Sequence, residues 1–384
     1  MSDAPVVSVV FPCLNEGPSI ADCVTRARKA FDAAGIPCEV VVVDNGSTDD
    51  SSAEAERAGA RIVFEKRRGY GAAMVAGVAA ARGEIILNSD ADGTYPLEDG
   101  PVLARAALDS GAIVLGSRFA GRIMPGAMPV LHRLVGSPAT RLLLRVLCGI
   151  RSSDPHSGMR AMRRSVFEAV KPISRGWEFT VEQLLNAHRR GVAVQEIPID
   201  YFERVGTSKL RALPQGWGFF RFMILHSPTF LFTVPGVLAM LLGVGMLAWL
   251  ASGDRMVGSL EFGVNSLVVA AMATIVGYQI VALGACARVY ISSREPDGLS
   301  RRGFERWFTL ERGIVVGLLL AIAGLALIVT VGLRWLVIDF GVLPRSDHGL
   351  AIVGLTTAVV GMQTIFSSFF LSLVEEVEAP PAAS

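Results

Sequence analysis

The sequence has few charged residues for its length. Only 18% of its 384 residues are Asp, Glu, Lys or Arg, while 51% are hydrophobic, and this balance is too apolar for a single soluble domain. The formal net charge is +1, so the overall charge indicates no nucleic acid or acidic macromolecule as a partner. We therefore expect part of the chain to lie in a membrane.

Several common motifs are also absent. No C-x-x-C spacing occurs, and the odd number of cysteines predicts reduced thiols rather than a zinc site or a disulfide framework; they are Cys13, Cys23, Cys38, Cys148 and Cys286. No G-x-x-x-x-G-K-[ST] sequence occurs, which excludes P-loop chemistry. Residues 67–71, RRGYG, lack the G-x-G-x-x-G order, so a nicotinamide cofactor is not expected.

Long uncharged runs are concentrated after residue 228. Residues 229–251, 264–287, 313–333 and 349–374 each hold at least about 18 to 20 mostly apolar residues, enough for a helix to cross the hydrocarbon core. Buried helices of a soluble core are the alternative, but these runs lack the polar faces and caps of such helices. The sequence thus predicts four transmembrane helices.

Arginines are distributed unevenly between the predicted loops. Arg255 stands alone between the first and second spans, whereas five arginines crowd the loop between the second and third: Arg294, Arg301, Arg302, Arg306 and Arg312. Positive residues favour the cytosolic side, and residues 1–14 lack the basic region of a secretory signal. We expect a multi-pass protein of the cytoplasmic membrane with the first domain and both termini cytosolic.

The chain before the first span alternates between two hydrophobic periodicities. Short β-branched runs at 6–11, 39–43, 61–64, 84–87 and 113–116 predict buried strands, and helical spacing at 19–34, 71–81 and 97–108 predicts the helices between them. Such alternation is typical of an α/β domain with an open, doubly wound and mostly parallel sheet. We assign it to residues 1–211, followed by an aromatic-rich interfacial helix at 212–228, the membrane domain at 229–374 and a disordered cytosolic tail at 375–384.

Acidic side chains follow three of the predicted strands. Glu16 follows the first, Asp44 and Asn45 the second, and the turn Asp90-Ala91-Asp92 the fourth. Ligands in such sheets bind beyond the carboxyl ends of the strands. Two carboxylates two residues apart can share a hard divalent cation, which also binds diphosphate oxygens.

Each of these patterns also has a purely structural interpretation. Asp90 and Asp92 can form an Asx-turn with their own backbone, and Asp44 can lie beside a helix cap near Ser47. Arginines beside small residues, as in Gly116-Ser117-Arg118 and Arg204-Val205-Gly206, suit anionic groups but also occur on solvated surfaces.

Eight short segments occur in a characteristic order between residues 6 and 228: VVFPCLNE, VVVDNGSTD, RRGYGAAMVAG, GEIILNSDADGTYP, GSRF, SDPHSGMRAMRR, EFTVEQLL and EIPIDYFERVGTSKLR. In this order they resemble glycosyltransferase family 2, and within it the polyprenyl-phosphate glycosyltransferases that include dolichol-phosphate mannose and glucose synthases. The resemblance implies a GT-A fold, a nucleotide-sugar donor and a polyprenyl or dolichyl phosphate acceptor.

The resemblance also implies roles for individual residues. The donor would be bound by Pro12, Leu14, Glu16, Val42, Asp44, Asn45, Asp90, Ala91, Arg204 and Lys209. The lipid phosphate would be received by Arg118, Arg133, Ser137 and Asp154. Asp92 is the expected ligand of Mg²⁺ or Mn²⁺, with Asp90 beside it, and Asp92, Arg118 and Arg133 are the expected catalytic residues.

Two positions depart from the family pattern. Thr94 stands where mannose-transferring relatives often have glutamine, so either its hydroxyl or water completes the metal coordination. Asn45 replaces a common second aspartate. Both UDP-glucose and GDP-mannose therefore stay open as donors, although the DADGTYP segment is closer to the branch of dolichol-phosphate glucose synthases.

We predict that a phosphate oxygen of the lipid displaces the nucleoside diphosphate with inversion, giving a β-linked product. No dedicated base is expected, because a phosphate monoester has a second pKa of about 6. A processive polysaccharide synthase is one alternative, but Gly303 and Val331 replace the glutamine of its Q-x-x-R-W segment. Glycolipid binding or translocation is another, for which the spans carry few intramembrane charges. Homo-oligomerisation is left open.

Overall fold

The computed structural model describes residues 5–206, 212–251, 253–293 and 309–378. It divides the chain into two compact units, Met1–Met223 and Ile224–Ser384, which we describe one at a time. Lys209 and most of the arginine-rich loop lie outside the described residues.

The first unit is built on one seven-stranded sheet. Its strands are β1 Val7–Cys13, β2 Cys38–Asp44, β3 Arg61–Phe64, β4 Ile85–Asn88, β5 Ile113–Ser117, β6 Arg160–Arg163 and β7 Val194–Pro198. The strand order is β3-β2-β1-β4-β6-β5-β7. Only β6 runs antiparallel to its neighbours within this sheet, so the prediction of a doubly wound, mostly parallel sheet is confirmed.

Seven helices accompany the sheet: α1 Gly17–Ala33, α2 Ser51–Arg57, α3 Tyr70–Ala80, α4 Gly100–Ser110, α5 Ser137–Cys148, α6 Arg164–Val170 and α7 Phe179–Arg189. Alternate residues of β1 pack into two hydrophobic cores, one on each face of the sheet, because successive side chains of a strand point to opposite faces. Phe11 packs with Phe31 of α1 on one face, and Val10 packs with Met74 of α3 on the other. These two layers fix the strand ends that carry the acidic side chains.

A third apolar cluster lies beside the sheet. Helix α8, Ala212–Leu225, occupies the segment predicted as interfacial. Its Met223 packs with Leu144 of α5 and Val181 of α7. The aromatic side chains of α8 are thus partly engaged in the first unit, with Trp217 63% exposed.

The second unit contains four long apolar helices. A π-helical turn, Thr229–Thr233, leads into α9 Val234–Leu250, and the remaining helices are α10 Val264–Ser293, α11 Leu310–Val337 and α12 Arg345–Glu378. All four are long and apolar enough to cross a membrane, as predicted. A short hairpin of β8 Arg255–Val257 and β9 Leu260–Phe262 connects α9 to α10. Helix α12 continues to Glu378, into the segment expected to be a disordered tail, because residues 375–378 include strong helix formers.

Small residues let α11 and α12 approach closely. A Cβ on Gly324 would lie 2.5 Å from the carbonyl oxygen of Gly354, and one on Gly317 would lie 2.7 Å from that of Gly361. Close contact through glycine is a common way for helices to pack in a bilayer, where apolar burial alone gives no preference for protein over lipid. An ion pair between Arg334 and Asp347, 2.7 Å apart, joins the same two helices at their connected ends.

Candidate active site

Asp44 is held in place by hydrogen bonds from the residues that follow β2. Asp44, at the end of β2, accepts hydrogen bonds from the backbone of Gly46 and Ser47 and from the Ser52 hydroxyl, at 3.1, 2.7 and 2.8 Å. Burial opposes ionisation of Asp44, but these hydrogen bonds outweigh it and lower the pKa. Asp44 is therefore a fixed carboxylate at the strand edge. The next helix begins at Ser51 with Asp50 as its N-cap and no side-chain capping hydrogen bond, so the helix cap considered near Ser47 is not present.

Asn45 has a different role in the structure from its neighbour. Its side-chain amide donates to the carbonyl oxygens of Glu65 and Arg67, both at 2.8 Å, and its Oδ1 accepts from Gly69 N at 2.7 Å. These bonds tie the loop after β3 to the end of β2. Asn45 thus positions this loop at the edge of the region beyond the carboxyl ends of β1, β2 and β4, which we call the crevice.

The Asp90-Ala91-Asp92 turn combines the two interpretations considered for it. One oxygen of Asp92 accepts from the backbone and hydroxyl of Thr94 at 3.1 and 2.6 Å, which is an Asx-turn. Its other oxygen lies 2.9 Å from Arg204. Thr94 therefore contacts only one oxygen of Asp92. The other carboxylate oxygen remains directed at the guanidinium of Arg204.

Arg204 is placed at this turn by backbone pairing. Phe202 N donates to Thr94 O, and Val205 N donates to Asp92 O, both at 3.0 Å. The guanidinium of Arg204 then bridges Asp92 and Glu16. Carboxylates from two different strand ends thus meet on one arginine.

Asp90 lies deeper in the crevice. Its Oδ1 is buried and has no hydrogen-bond partner in the described part of the chain, while a hydrogen bond from Tyr70 and the nearby positive charges of Arg118 and Arg204 stabilise its ionised form. Burial, followed by the negative charge of Asp92, raises its pKa above the ordinary carboxyl range. A Cβ on Gly158 would lie 2.6 Å from the Asp90 carboxylate, so the segment after Asp154 closes directly over this acid.

Arg118 and Asp154 form a buried ion pair. Two guanidinium nitrogens of Arg118 contact the two oxygens of Asp154 at 2.7 Å, and Arg118 N donates to the same carboxylate at 3.0 Å. Their residues are 5% and 1% exposed. The Arg118 guanidinium also lies 4.9 Å from the centre of the Tyr201 ring, a cation–π contact. The structure thus brings together two predicted acceptor residues but holds Arg118 on Asp154.

His156 is a site residue that sequence reasoning missed. Its Nδ1 is buried without a hydrogen-bond partner among the described residues, and its ring centre lies 4.3 Å from Phe219 and 6.5 Å from His132. Burial, and then the charge of Arg118, lower the pKa of His156 to about 3. The Ser137 hydroxyl is likewise buried without a partner in the described segments. The His156 imidazole and the Ser137 hydroxyl can each donate a hydrogen bond to an anion. In the sequence, the only indication of His156 was its position among small and polar residues in the segment DPHSG.

The other predicted site residues have different surroundings. Arg133 lies on an exposed π-helical turn, His132–Gly136. Pro12 and Leu14 are half-buried at the end of β1. Ala91 is buried, and its carbonyl accepts from the Ser19 hydroxyl at 2.7 Å. Val42 is fully buried within the sheet core, which leaves its side chain no exposed surface.

The arrangement of oxygen atoms fits a hard divalent cation shared with a ligand. Among the described residues, no group of three or more His, Cys, Asp or Glu side chains converges as a complete metal site. However, Asp90 offers an unpartnered buried oxygen, and Asp92 an oxygen whose partner is a cationic group. Mg²⁺ commonly takes one or two carboxylates and completes its shell with phosphate oxygens and water. Asp90 and Asp92 therefore suit such an ion only together with a bound diphosphate.

The mostly parallel seven-stranded sheet, with carboxylates at its strand ends, is that of a GT-A-like domain. The profile of the family Glycosyl transferase family 2 matches residues 8–171, and that of the Glycosyltransferase family 2 C-terminal transmembrane region matches residues 285–375. The chain belongs to glycosyltransferase family 2, and it is a membrane protein.

Two relatives from Haloferax volcanii are similar to the chain. Low-salt glycan biosynthesis hexosyltransferase Agl6 is 35% identical over 97% of this chain and 90% of its own length. Dolichyl-phosphate hexose transferase is 33% identical over 53% of this chain and 86% of its own length. Among solved structures, glucosyl-3-phosphoglycerate synthase from Mycobacterium tuberculosis, in a complex with Mn²⁺, UDP and glucosyl-3-phosphoglycerate, is 24% identical over 58% of this chain and 78% of that chain, with a TM-score of 0.45.

Proposed function

We propose that the protein transfers a hexose from a nucleotide sugar to a polyprenyl or dolichyl phosphate, with inversion at the anomeric carbon. The observation that carries the proposal is the contact of Gly158 with Asp90. This contact joins the strand-end carboxylates to the segment of Asp154 and His156, which is itself bound to Arg118. Groups suited to a donor diphosphate and groups suited to a second anion therefore share one crevice. The names of the two relatives support a hexose and a lipid phosphate.

The donor side would work through Asp44, Glu16 and Arg204. Asp44 is an ionised acceptor for base or ribose hydroxyl donors, and Arg204 is a cation for the diphosphate. Asp90 and Asp92 would hold Mg²⁺ or Mn²⁺, which supplies electrostatic stabilisation of the leaving nucleoside diphosphate. The Asp90 oxygen that has no hydrogen-bond partner among the described residues is the strongest support for this metal dependence.

The acceptor side would work through Arg133, Ser137 and His156. Arg133 is exposed and free to meet an incoming phosphate, whereas Arg118 already donates to Asp154 through two of its nitrogens. We therefore assign Arg118 chiefly to the positive potential of the crevice and to the position of Asp154. The hydroxyl of Ser137 and the neutral imidazole of His156 would donate hydrogen bonds to the phosphate.

In the proposed reaction an acceptor phosphate oxygen attacks the anomeric carbon as the bond to the donor diphosphate breaks, and the bonding electrons leave with the nucleoside diphosphate. The phosphate needs no deprotonation by the protein, because its second pKa is about 6. Most of the acceleration then comes from orientation of the two substrates and from charge stabilisation. The arginine distribution supports a cytosolic position of this unit.

A direct test uses the purified full-length protein, polyprenyl phosphate, Mg²⁺ or Mn²⁺ and a panel of UDP- and GDP-linked hexoses. We expect one donor to give a lipid-phosphate hexose whose mass and β-anomeric configuration are read by mass spectrometry and NMR. Chelation of the metal and Asp92→Asn should each abolish the product. Absence of product with every donor, or an α-linked product, would contradict the proposal.

A further inference from the structure

Helix α5 has an apolar face that the described residues of the first unit leave exposed. Its inner face is buried through Leu144, but Leu142 and Val146, four residues apart, are 61% and 49% exposed. Residues spaced by four lie on one side of a helix. The preceding turn adds the exposed side chains of Val130, Leu131, Leu134 and Val135. Large apolar side chains are thus exposed both on α5 and on the segment before it.

Arginines lie next to this apolar face. Arg141 and Arg145, also four residues apart, line a cavity of about 520 Å³ together with Arg151 and Leu142. The Arg141 guanidinium is held 4.9 Å from the centre of the Phe119 ring. The cavity is therefore strongly basic and bordered by an apolar rim.

The charges of this cavity are not neutralised within the part of the chain that the structure describes. Elsewhere in the unit, Arg26, Arg61 and Arg163 form ion pairs with glutamates, but Arg141, Arg145 and Arg151 have no such pair among the described residues. Glu196 also lines the cavity, and its carboxylate is engaged by the hydroxyls of Ser152 and Ser153. A bound anion would have three guanidinium groups available.

We infer that α5 and the adjacent cavity form a docking site for anionic phospholipid, with Leu142 and Val146 in the acyl region and Arg141, Arg145 and Arg151 around the headgroup phosphate. Arginine recognises phosphate oxygens through paired hydrogen bonds. An amphipathic helix with basic and apolar residues is suited to the membrane interface. Arg141, Arg145 and Arg151 are not among the residues assigned to the donor or the acceptor, and binding of a phospholipid headgroup to them requires no nucleotide sugar.

A lipid surface fits these features better than a soluble phosphate compound. A soluble ligand would need the basic cavity but not the exposed leucine and valine side chains beside it. The four membrane-spanning helices of the same chain also ensure that a bilayer is part of its surroundings. The combination of apolar and basic groups on one helix therefore favours phospholipid.

The test places a fluorescent label at Leu142→Cys in the full-length protein, with Cys38, Cys148 and Cys286 changed to serine. The protein is reconstituted in nanodiscs of phosphatidylcholine with increasing phosphatidylglycerol, and quenching by lipids brominated in the acyl chain is measured. We expect quenching to rise with phosphatidylglycerol. Arg141→Gln with Arg145→Gln should raise the amount of phosphatidylglycerol needed for half-maximal quenching by about fivefold for each arginine removed.

Matched variants separate the site from general effects. Lys29→Gln with Arg105→Gln removes the same charge from exposed positions on α1 and α4 and should leave quenching unchanged. Arg141→Lys with Arg145→Lys keeps the charge and should retain most of the phosphatidylglycerol response, which also controls for misfolding. A label at Lys29→Cys should show little quenching.

Three results would overturn the inference. The first is absence of quenching of the label at position 142, and the second is quenching that is equal in neutral and anionic discs. The third is loss of the phosphatidylglycerol-dependent quenching when millimolar inorganic phosphate is added, which would assign the cavity to soluble phosphate compounds. Transferase activity is measured on the same preparations. A labelled protein that docks but gives no product would leave this inference standing while contradicting the proposed reaction.

Discussion

The guanidinium of Arg204 lies 2.9 Å from the carboxylate of Asp92. The same side chain pairs with Glu16, so one arginine joins the ends of two strands. In the proposed reaction a divalent cation and a diphosphate share this region. When the donor binds, Arg204 would exchange part of its contact with Asp92 for contacts with phosphate oxygens. Removal of Arg204 would therefore change both the position of Asp92 in the empty site and the binding of the diphosphate.

Arg204→Gln should lower kcat/KM for the donor by about 10² to 10³, the usual effect of losing one charge-stabilising group. Arg204→Lys should recover part of this loss, because it keeps the charge but not the bidentate geometry. Steady-state kinetics and calorimetric titration with nucleoside diphosphate measure the two effects. Arg122→Gln, an exposed arginine paired with Asp200, is the control; an equal loss there would indicate a general charge effect.

Thr94 orients Asp92 through its hydroxyl, 2.6 Å from Oδ1. Thr94→Val keeps the volume but leaves a buried acceptor without this donor, which costs about 1 to 3 kcal/mol. We expect a five- to hundredfold weaker affinity for Mn²⁺ in the presence of nucleoside diphosphate, measured by electron paramagnetic resonance. Thr94→Ser should bind nearly as well as the original protein. Similar affinities in both variants would argue against this role of the hydroxyl.

The buried pair of Arg118 and Asp154 predicts a stability effect separate from catalysis. Arg118→Met leaves the carboxylate of Asp154 buried and unpaired, and such a change costs about 3 to 5 kcal/mol in the free energy of unfolding. Arg118→Met combined with Asp154→Leu should be markedly more stable than Arg118→Met alone. Chemical unfolding of the full-length protein in detergent checks both. An Arg118→Met protein of unchanged stability would show that the pair is open to solvent.

His156 predicts an acid-sensitive contribution to stability. The pKa of His156 is lowered to about 3, whereas the unfolded chain takes up this proton near pH 6.5. Between these values the unfolded state binds more protons, so stability falls as the pH falls. At pH 5 this residue should account for up to about 2 kcal/mol of lost stability.

His156→Gln removes this titration while keeping a polar side chain. Its free energy of unfolding should therefore fall less between pH 7 and pH 5 than that of the original protein. His188→Gln, at an exposed position of α7, is the matched control variant. The same pH dependence in His156→Gln would mean that other groups near Arg118 and Asp154 dominate.

The sequence was sufficient for the architecture because apolar periodicity is a local property. The β1 to β5 strands, helices α1, α3 and α4 and the four long apolar helices followed from it, whereas α2, α5, α6, α7 and β7 were not predicted. Strand β6 was not identified, since a four-residue segment with arginine at both ends has no clear periodicity. Its antiparallel insertion between β4 and β5 is determined by tertiary contacts.

The site was predictable only as a set of residue types. The turn at Asp90 and Asp92 indicated a possible cation, but it could not show that Arg204 contacts Asp92 or that Asn45 is engaged by the loop after β3. The His156 nitrogen that lacks a partner in the described part of the chain is equally a product of packing. Such contacts join distant parts of the chain, and no local pattern encodes them.

Gly158 gives the sharpest test of the contact that joins the two sides of the crevice. A methyl group at this position would lie 2.6 Å from Oδ1 and 2.7 Å from Oδ2 of Asp90, closer than nonbonded atoms allow. Gly158→Ala should therefore displace the Asp90 carboxylate and lower kcat by about 10², while the free energy of unfolding changes by no more than about 1 to 3 kcal/mol. Gly216→Ala, where a methyl group meets nothing within 4 Å, should retain full activity. If Gly158→Ala transferred sugar at the original rate, the position of Asp90 would be irrelevant to the reaction, because the added methyl group cannot fit without moving that carboxylate.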